Sequence, residues 1–354
     1  MPIIRINNIT VDAAEGSTIL DAAHMAGIHI PVLCHKEGVE HYSSCMVCMV
    51  KDNLKNVFIP SCSALAQDGM DIDASSDEVI HMRKRAVELL LSEHRAECEA
   101  PCKVVCPAGY DIPKMNRLIA EGMVKEAVDL SRSGLDSPEI RCSTCPGYCE
   151  NACRRKKIDL PVSIRNMQLF VFENISQADL SALDKGKNDN IDGVRKRFSS
   201  HIGRLEESEL KEWIKESKND APRFREINDF RTAGTEAESC MHCDCRASGD
   251  CMLRELAQDL SVKDPAGKVV NSNIAKKINY KTGLIFENAK CIKCGLCVRI
   301  CEDSKDEPAL CFINRGFVSI ISEPLMEDFD SILATQANKC VDACPTGALA
   351  RFKD

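Results

Sequence analysis

The sequence predicts an α+β chain built of several small modules rather than one large domain. Three observations carry this. Cysteine accounts for 22 of 354 residues, and nearly all of it falls in tight runs, at 34/45/48/62, 98/102/106, 142/145/149/153, 240/243/245/251, 291/294/297/301, then 311 and 340/344. Runs spaced two or three residues apart put several thiolates around one point, which is what a metal centre needs. Aromatic content is only 5%, with one tryptophan, Trp213. That is thin for one large core but suits modules stapled by metal, because each bound centre replaces part of a hydrophobic core. Finally, the first 80 residues alternate short strand patterns with a single helix, whereas the next hundred read as helix between cysteine runs.

Residues 3–12 alternate apolar and polar positions around Asn7-Asn8, a hairpin signal. Ser17 or Thr18 caps a helix through Ile19, Leu20, Ala23 and Met25, closed by Gly27. HIPVL reads as a strand leading into Cys34, and MVCMV and NVFIP supply two more. Residues 78–93 form an amphipathic helix with Val79, Met82, Ala86, Leu89 and Leu90 on one side. A helix opens at Asp111, with Pro113 in its first turn, and runs to Gly122; another covers 123–132. Residues 180–238 are the most polar stretch, a linker or an arm lying on a partner. A helix, MLRELAQDL, comes directly after the four cysteines at 240–251, and strand-like RGFVSIIS lies between the last two cysteine groups.

Composition excludes several function classes. Net charge is −8, so nothing suggests nucleic acid. The short basic run Arg154, Arg155, Lys156, Lys157 reads as a solvated face or a subunit contact. The nearest pair of the 18 glycines is Gly186 and Gly193. Neither Gly-x-Gly nor the paired glycines of a P-loop is present, so the chain has no standard nucleotide or dinucleotide site. No apolar run approaches the roughly 20 residues of a membrane span. The polar start, MPIIRINNITVDAAEG, lacks the apolar core of a signal peptide. The expectation is a cytoplasmic protein, and in a reducing compartment dense cysteines read as metal ligands rather than disulfides.

The first set is Cys34-x10-Cys45-x2-Cys48-x13-Cys62. Two irons bridged by sulfide need four thiolates, and this spacing is wider than the plant-type C-x4-C-x2-C. A structural zinc is the alternative, though ten residues between the first two ligands is unusual for zinc. With SCMVCMV, PSC, DGMDI and the helix ending LLLSEH, residues 1–94 resemble the [2Fe–2S] domain of the large iron–sulfur subunit of respiratory complex I and of iron-only hydrogenases. That family continues with His-x3-Cys-x2-Cys-x5-Cys. Here the run is His94-x3-Cys98-x3-Cys102-x3-Cys106-Pro107.

The segments CPAGYDIPKMNRLIAEGMVKEAVDL and RCSTCPGYCENACRRKKIDLPVSIRNMQ carry a different likeness. Over residues 95–172 the chain resembles the two-cluster helical domain of the glutamate synthase small subunit and of dihydropyrimidine dehydrogenase. The resemblance implies crosswise ligation. Cys106, Cys145 and Cys149 hold one [4Fe–4S] cluster, with Gln168 where dihydropyrimidine dehydrogenase uses a glutamine ligand. Cys98, Cys102 and Cys153 hold the other. Its usual fourth ligand position is Arg95, leaving Cys142 as first choice and His94 as alternative. Gln168 is otherwise a plain helix side chain, and His94 a helix-terminal cation favoured by the dipole.

The third set, Cys240-x2-Cys243-x-Cys245-x5-Cys251, can surround one [4Fe–4S] cluster or one zinc; it resembles a small module of some glutamate-synthase-like flavoproteins. His242 inside it reads as tuning or shielding the site. The fourth, Cys291-x2-Cys294-x2-Cys297-x3-Cys301 with Cys340-x3-Cys344-Pro345, resembles bacterial two-cluster ferredoxins, in which three cysteines of one run share a cluster with the last of the other. That implies one [4Fe–4S] cluster on Cys291, Cys294, Cys297 and Cys344. The second would need cysteines where Ala334 and Ala337 stand, so Cys301, Cys311 and Cys340 are left over, as buried thiols or an atypical centre.

Together the resemblances imply an N-terminal β-grasp [2Fe–2S] ferredoxin (1–78), a helical two-[4Fe–4S] domain (79–175), a polar linker (176–238), a four-cysteine module (239–265) and a bacterial-ferredoxin-like domain (266–354). The cofactors would be one [2Fe–2S] and four [4Fe–4S] clusters. The function implied is an electron-transfer subunit wiring an NAD(P)H-linked flavoprotein subunit to a second redox subunit or a ferredoxin, in a complex of hydrogenase, formate dehydrogenase or bifurcating transhydrogenase type. A zinc-rich scaffold and a flavin enzyme with an unrecognised site are the alternatives.

Overall fold

The computed structural model describes residues 1–94, 98–134, 142–173, 222–247, 250–262, 276–304, 308–325 and 327–351. Arg95, Trp213 and the polar stretch up to 221 lie outside these. Contacts divide the chain into two compact units, residues 1–96 with 246–354, and residues 97–245.

The chain opens with the hairpin β1 (Ile3–Ile6) and β2 (Ile9–Asp12). Asn7 and Asn8 both adopt positive φ, 48° and 67°, the conformation that a two-residue hairpin turn matched to strand twist requires. Helix α1 (Ile19–Met25) starts at Thr18, whose side chain accepts from the Asp21 N–H while Asp21 accepts from the Thr18 N–H, a reciprocal cap that satisfies two orphan donors. Strands β3 (Met49–Asp52), β4 (Val57–Pro60) and β5 (Asp71–Asp73) complete a sheet ordered β2-β1-β5-β3-β4, with β1 and β5 parallel and the other pairs antiparallel. Ile4, Ile6 and Ile72 share one core with Ile19, Ala22 and Ala23 of α1. This is the β-grasp arrangement. HIPVL is not a strand; Pro31 removes a ladder donor there.

Helix α2 (Asp77–Glu93) packs on β3. Its buried face is Val79, Arg83, Ala86, Val87 and Leu91, and Leu89 is 71% exposed. The buried stripe is thus shifted by about one position from the one the apolar periodicity marks. Arg83 belongs to it because its Nε donates to the Met49 carbonyl at 3.0 Å, giving a cation a partner where an apolar residue was expected.

The second unit is helical: α3 (Pro101–Val105), α4 (Ile112–Ala120), α5 (Val124–Gly134), α6 (Tyr148–Asn151), α7 (Ile164–Glu173) and α8 (Phe230–Ala237). Asp111 caps α4 and Gly122, at φ 75°, ends the turn after it. Met115, Ile119, Ala127, Met167, Phe170 and Ala233 share one core. Residues 222–238 read as linker by composition, yet α8 packs on α4. The fully buried Glu236 docks the segment: it accepts from Arg223 Nη2 (2.7 Å), the Ser163 N–H (2.9 Å) and the Phe224 N–H (2.9 Å). The basic run also departs from expectation. Lys156 and Lys157 are exposed, but Arg154 and Arg155 are buried, and Arg155 forks onto Asp159 at 2.8 and 3.0 Å.

The first unit resumes with α9 (Met252–Asp259), then β6 (Lys276–Asn279) and β7 (Leu284–Glu287), α10 (Leu296–Ser304), β8 (Cys311–Ile313), β9 (Ile320–Ser322), α11 (Ala337–Ala343) and β10 (Leu349–Arg351). One sheet runs β10-β7-β6, and β8 pairs with β9. RGFVSIIS is strand only from Ile320, because Gly316–Val318 forms a 3₁₀ turn with Gly316 at φ 64°. Among the described residues, no helix is long and apolar enough to cross a membrane.

Candidate metal centres

Four cysteines of the first set sit in the loops beside the β-grasp sheet, each at most 4% exposed. They form two pairs. The Cys34 thiol donates to Cys45, holding it down to about 6 with help from the Val47 N–H. The Cys48 and Cys62 sulfurs are in hydrogen-bond contact across 3.3 Å, which lowers Cys48 to about 7. Their partners, Cys34 and Cys62, move up. The loop that carries the pairs bends through Ser43 (φ 51°) and Met46 (φ 57°), left-handed positions that non-glycine residues occupy only when the surroundings fix them. The buried Arg83 guanidinium lies within electrostatic reach of Cys48.

Cys291, Cys294 and Cys297 lie on the turn into α10, and Cys344 ends α11. Burial pushes Cys291 up to about 12 and raises Cys294 and Cys297 well above the usual thiol range. Mutual repulsion adds to this: Cys297 feels Cys291, Cys294 and Cys344. The Lys293 N–H donates to Cys291 Sγ at 3.3 Å. Cys294 also feels Cys45, so this set adjoins the first. Cys301 and Cys340 are buried with their sulfurs 3.8 Å apart, and Cys311 is half-buried on β8.

In the helical unit, Cys106, Cys142, Cys145, Cys149 and Gln168 line one cavity of about 340 Å³. Cys142 Sγ donates to Gln168 Oε1 at 3.0 Å. Burial raises Cys142 to about 11 and Cys149 to about 12. A second pocket is lined by Cys102, Cys153, Cys240 and Cys243, together with Asn116, Arg154 and Arg155. Chain spacing and family resemblance group these residues otherwise: Cys142 with Cys102 and Cys153, and Cys240 and Cys243 with their neighbours in the chain. Cys98 and Cys245 meet through their backbones, the Cys245 N–H donating to the Cys98 carbonyl at 3.1 Å. Cys251 Sγ lies 3.8 Å from the Pro345 carbonyl.

His94 is not the helix-terminal cation expected. It is 5% exposed, burial lowers it to about 4, and Nδ1 donates to the Lys290 carbonyl at 2.8 Å. The ring is therefore neutral at pH 7 with its lone pair on Nε2.

Among the described residues no three His, Cys, Asp or Glu side chains converge tightly enough for one metal ion. Cysteines of the helical unit instead border two pockets, and those of the other two sets lie beside one another, all of them soft sulfur donors that suit iron–sulfur chemistry. The residues present fit such a group.

Comparison with known proteins agrees. Residues 3–77 match the family described as "2Fe-2S iron-sulfur cluster binding domain", residues 77–180 the dihydropyrimidine dehydrogenase domain II 4Fe-4S family, and residues 284–350 the "NADH-quinone oxidoreductase subunit 3, ferredoxin-like domain". A putative formate dehydrogenase of Bacillus subtilis is 34% identical over 46% of this chain and 17% of its own length. The NADH-ubiquinone oxidoreductase 75 kDa subunit of Reclinomonas americana is 29% identical over 56% of this chain and 26% of its own. The chain thus spans about a quarter or less of these relatives. In fold it is similar to a chain of an NAD⁺-reducing [NiFe]-hydrogenase crystal structure, at 16% identity and a TM-score of 0.53, covering 99% of this chain and 87% of that one. The chain is an iron–sulfur protein that carries three domains in series, of the 2Fe-2S, dihydropyrimidine dehydrogenase 4Fe-4S and NADH-quinone oxidoreductase ferredoxin-like families, as its cysteine runs indicated.

Proposed function

We propose that the chain is the electron-transfer subunit of an NAD(P)H-linked oxidoreductase complex, joining a flavoprotein subunit to a second redox subunit or a ferredoxin. The observation that carries this is three iron–sulfur domains in series on a chain whose glycines form no dinucleotide fingerprint. Iron–sulfur clusters held by thiolates pass single electrons at potentials set by burial and by hydrogen bonds to sulfur.

In this reading Cys34, Cys45, Cys48 and Cys62 hold a [2Fe–2S] cluster. Cys291, Cys294, Cys297 and Cys344 hold a [4Fe–4S] cluster, and Cys106, Cys142, Cys145 and Cys149 another. Cys142 replaces Gln168, whose amide stands 3.0 Å from its sulfur and, turned to present its N–H2, would donate to the ligating thiolate. Seven thiols, Cys98, Cys102, Cys153, Cys240, Cys243, Cys245 and Cys251, remain for two further [4Fe–4S] clusters, with one position for a non-cysteine donor. Cys45 lies within electrostatic reach of Cys294, which supports placing the first two sets as neighbours.

Iron and acid-labile sulfide analysis of the purified chain tests the reading. About 18 iron per chain is expected, from one two-iron and four four-iron centres. Zinc without sulfide would overturn it. NAD(P)H should bleach the visible absorption only after a flavoprotein partner is added; bleaching of the isolated chain would place the flavin chemistry on this subunit instead.

A further inference from the structure

We infer that Cys102 and Cys153 of the helical domain share one [4Fe–4S] cluster with Cys240 and Cys243 from a distant part of the sequence. The inference rests on the iron–sulfur function proposed for the chain and deepens it.

The four residues arrive from three directions. Cys102 lies on α3, Cys153 comes directly after α6, and Cys240 and Cys243 come after α8. All four line one pocket, and burial together with Cys240, Cys243 and Cys153 pushes the Cys102 thiol well above its usual range. The helical domain's own run supplies only two thiols here, since Cys142 faces the other cavity. Two donors are missing, and Cys240 and Cys243 stand where they are needed.

The surroundings match a buried anionic group. Asn116, 1% exposed, donates from its side chain to Cys240, and its Oδ1 has no partner. The His242 N–H also donates to Cys240. The Arg154 guanidinium favours the thiolate of Cys243, and those of Arg223 and Arg155 favour the thiolate of Cys153. The nearby carboxylate of Asp244 is neutralised by a two-pronged pair with Arg117, both bonds 3.0 Å. The free space is about 20 Å³. A four-iron group is larger than this space, so it enters only when the bordering sulfurs turn outward about their single χ1 torsions.

The segment that carries Cys240 is fixed independently. Glu236, accepting from the Ser163 N–H, holds it to the helical domain, and Arg155 Nη1 donates to the Ser239 carbonyl at 3.1 Å. Cys240 and Cys243 are thus delivered by hydrogen bonds that involve no metal.

The test is non-additivity in the full chain. Cys102→Ala and Cys240→Ala are made singly and together, and iron, sulfide and EPR spectra of the dithionite-reduced proteins are recorded. If the cluster is shared, both single variants lose the same [4Fe–4S] signal and about four iron, and the double variant loses no more. Different signals, with about eight iron lost in the double variant, would mean that the 240 run holds its own centre and would overturn the inference. A double variant with full iron would do the same. The [2Fe–2S] signal and that of the Cys106 cavity report whether each variant has folded. Where alanine abolishes both, Cys102→Ser and Cys240→Ser keep the side-chain shape and give the same comparison through shifts of one signal or of two. An unsubstituted chain without sulfide would refute the iron–sulfur function itself, a separate outcome.

Discussion

Gly295 is the position where a single methyl group should do the most damage. It stands between Cys294 and Cys297 at φ 81°. A Cβ built there would lie 2.4 Å from Tyr42 Cδ2 and 2.6 Å from Cε2. The ring cannot simply step aside. Phe312 packs edge-on against it at 5.6 Å between centroids, and the Arg299 guanidinium covers it at 4.3 Å. Two costs therefore add. A left-handed alanine costs about 1–2 kcal/mol, and overpacking against a fixed ring a further ~1–3 kcal/mol. Gly283 separates them, since it has φ 69° but nothing within 4 Å of a built Cβ. Gly283→Ala should cost only the backbone term of about 1–2 kcal/mol, and Gly295→Ala about 2–5 kcal/mol. Thermal melts of the cluster-loaded chain, with EPR of the C-terminal cluster, compare them. In a Tyr42→Ala background, Gly295→Ala should cost only about what Gly283→Ala costs. Equal melting temperatures for the two glycine variants would refute the argument, because the clash would then carry no energy.

Three further outcomes are expected. Glu236→Gln keeps shape but removes the buried charge that Arg223 requires, so it should destabilise the α8 segment by about 3–5 kcal/mol and open residues 222–238 to limited proteolysis. Cys340→Ser should leave iron content unchanged, since its sulfur faces Cys301 and the Cys297 carbonyl; loss of iron would revive a second C-terminal cluster. Arg154→Met should lower the midpoint potential of one [4Fe–4S] signal in a redox titration, by an amount on the order of 2–3 kcal/mol for a unit charge several ångströms away at an effective dielectric near 20. An unchanged potential would show that this guanidinium is screened from the centre.

Local signals made much of the fold legible. The Asn7-Asn8 turn, the Thr18 cap, Asp111 with Pro113, and Gly122 each act through their own backbone, and each appears in the structure where the sequence puts it. The misreadings share a different cause. Arg83, Arg155 and Glu236 are charged, so composition sends them to the surface, yet each is buried and meets a partner far along the chain besides any nearer one: Met49 for Arg83, Ser239 for Arg155, Ser163 for Glu236. Burial of a charge depends on pairing, and pairing across tens of residues has no period or spacing to read. His94 fails the same way, since the carbonyl that fixes its tautomer belongs to Lys290.

Cysteine spacing is informative within a loop and silent between loops. Cys34, Cys45 and Cys48 precede β3 with Cys62 just past the β3–β4 hairpin, and Cys291, Cys294 and Cys297 lie along one turn; there residues close in sequence are also close in space. Around Cys102 the grouping depends on where α8 docks, and that is decided by Glu236 rather than by any cysteine. If the four thiols of that pocket hold one cluster, the metal closes a loop of 86 residues between Cys153 and Cys240, which become neighbours only on folding. A clip over so long a loop removes more chain entropy from the unfolded state than one closed within a single run, though only as the logarithm of length. Binding free energy at such a site becomes folding free energy. The helical domain and the 222–243 segment should then lose their structure together when iron is withdrawn, whereas a centre confined to the 240 run would let the segment detach alone. Hydrogen exchange of α4 and α8 in chelator-treated protein distinguishes these, with simultaneous loss of protection expected and loss at α8 alone counting against the shared cluster.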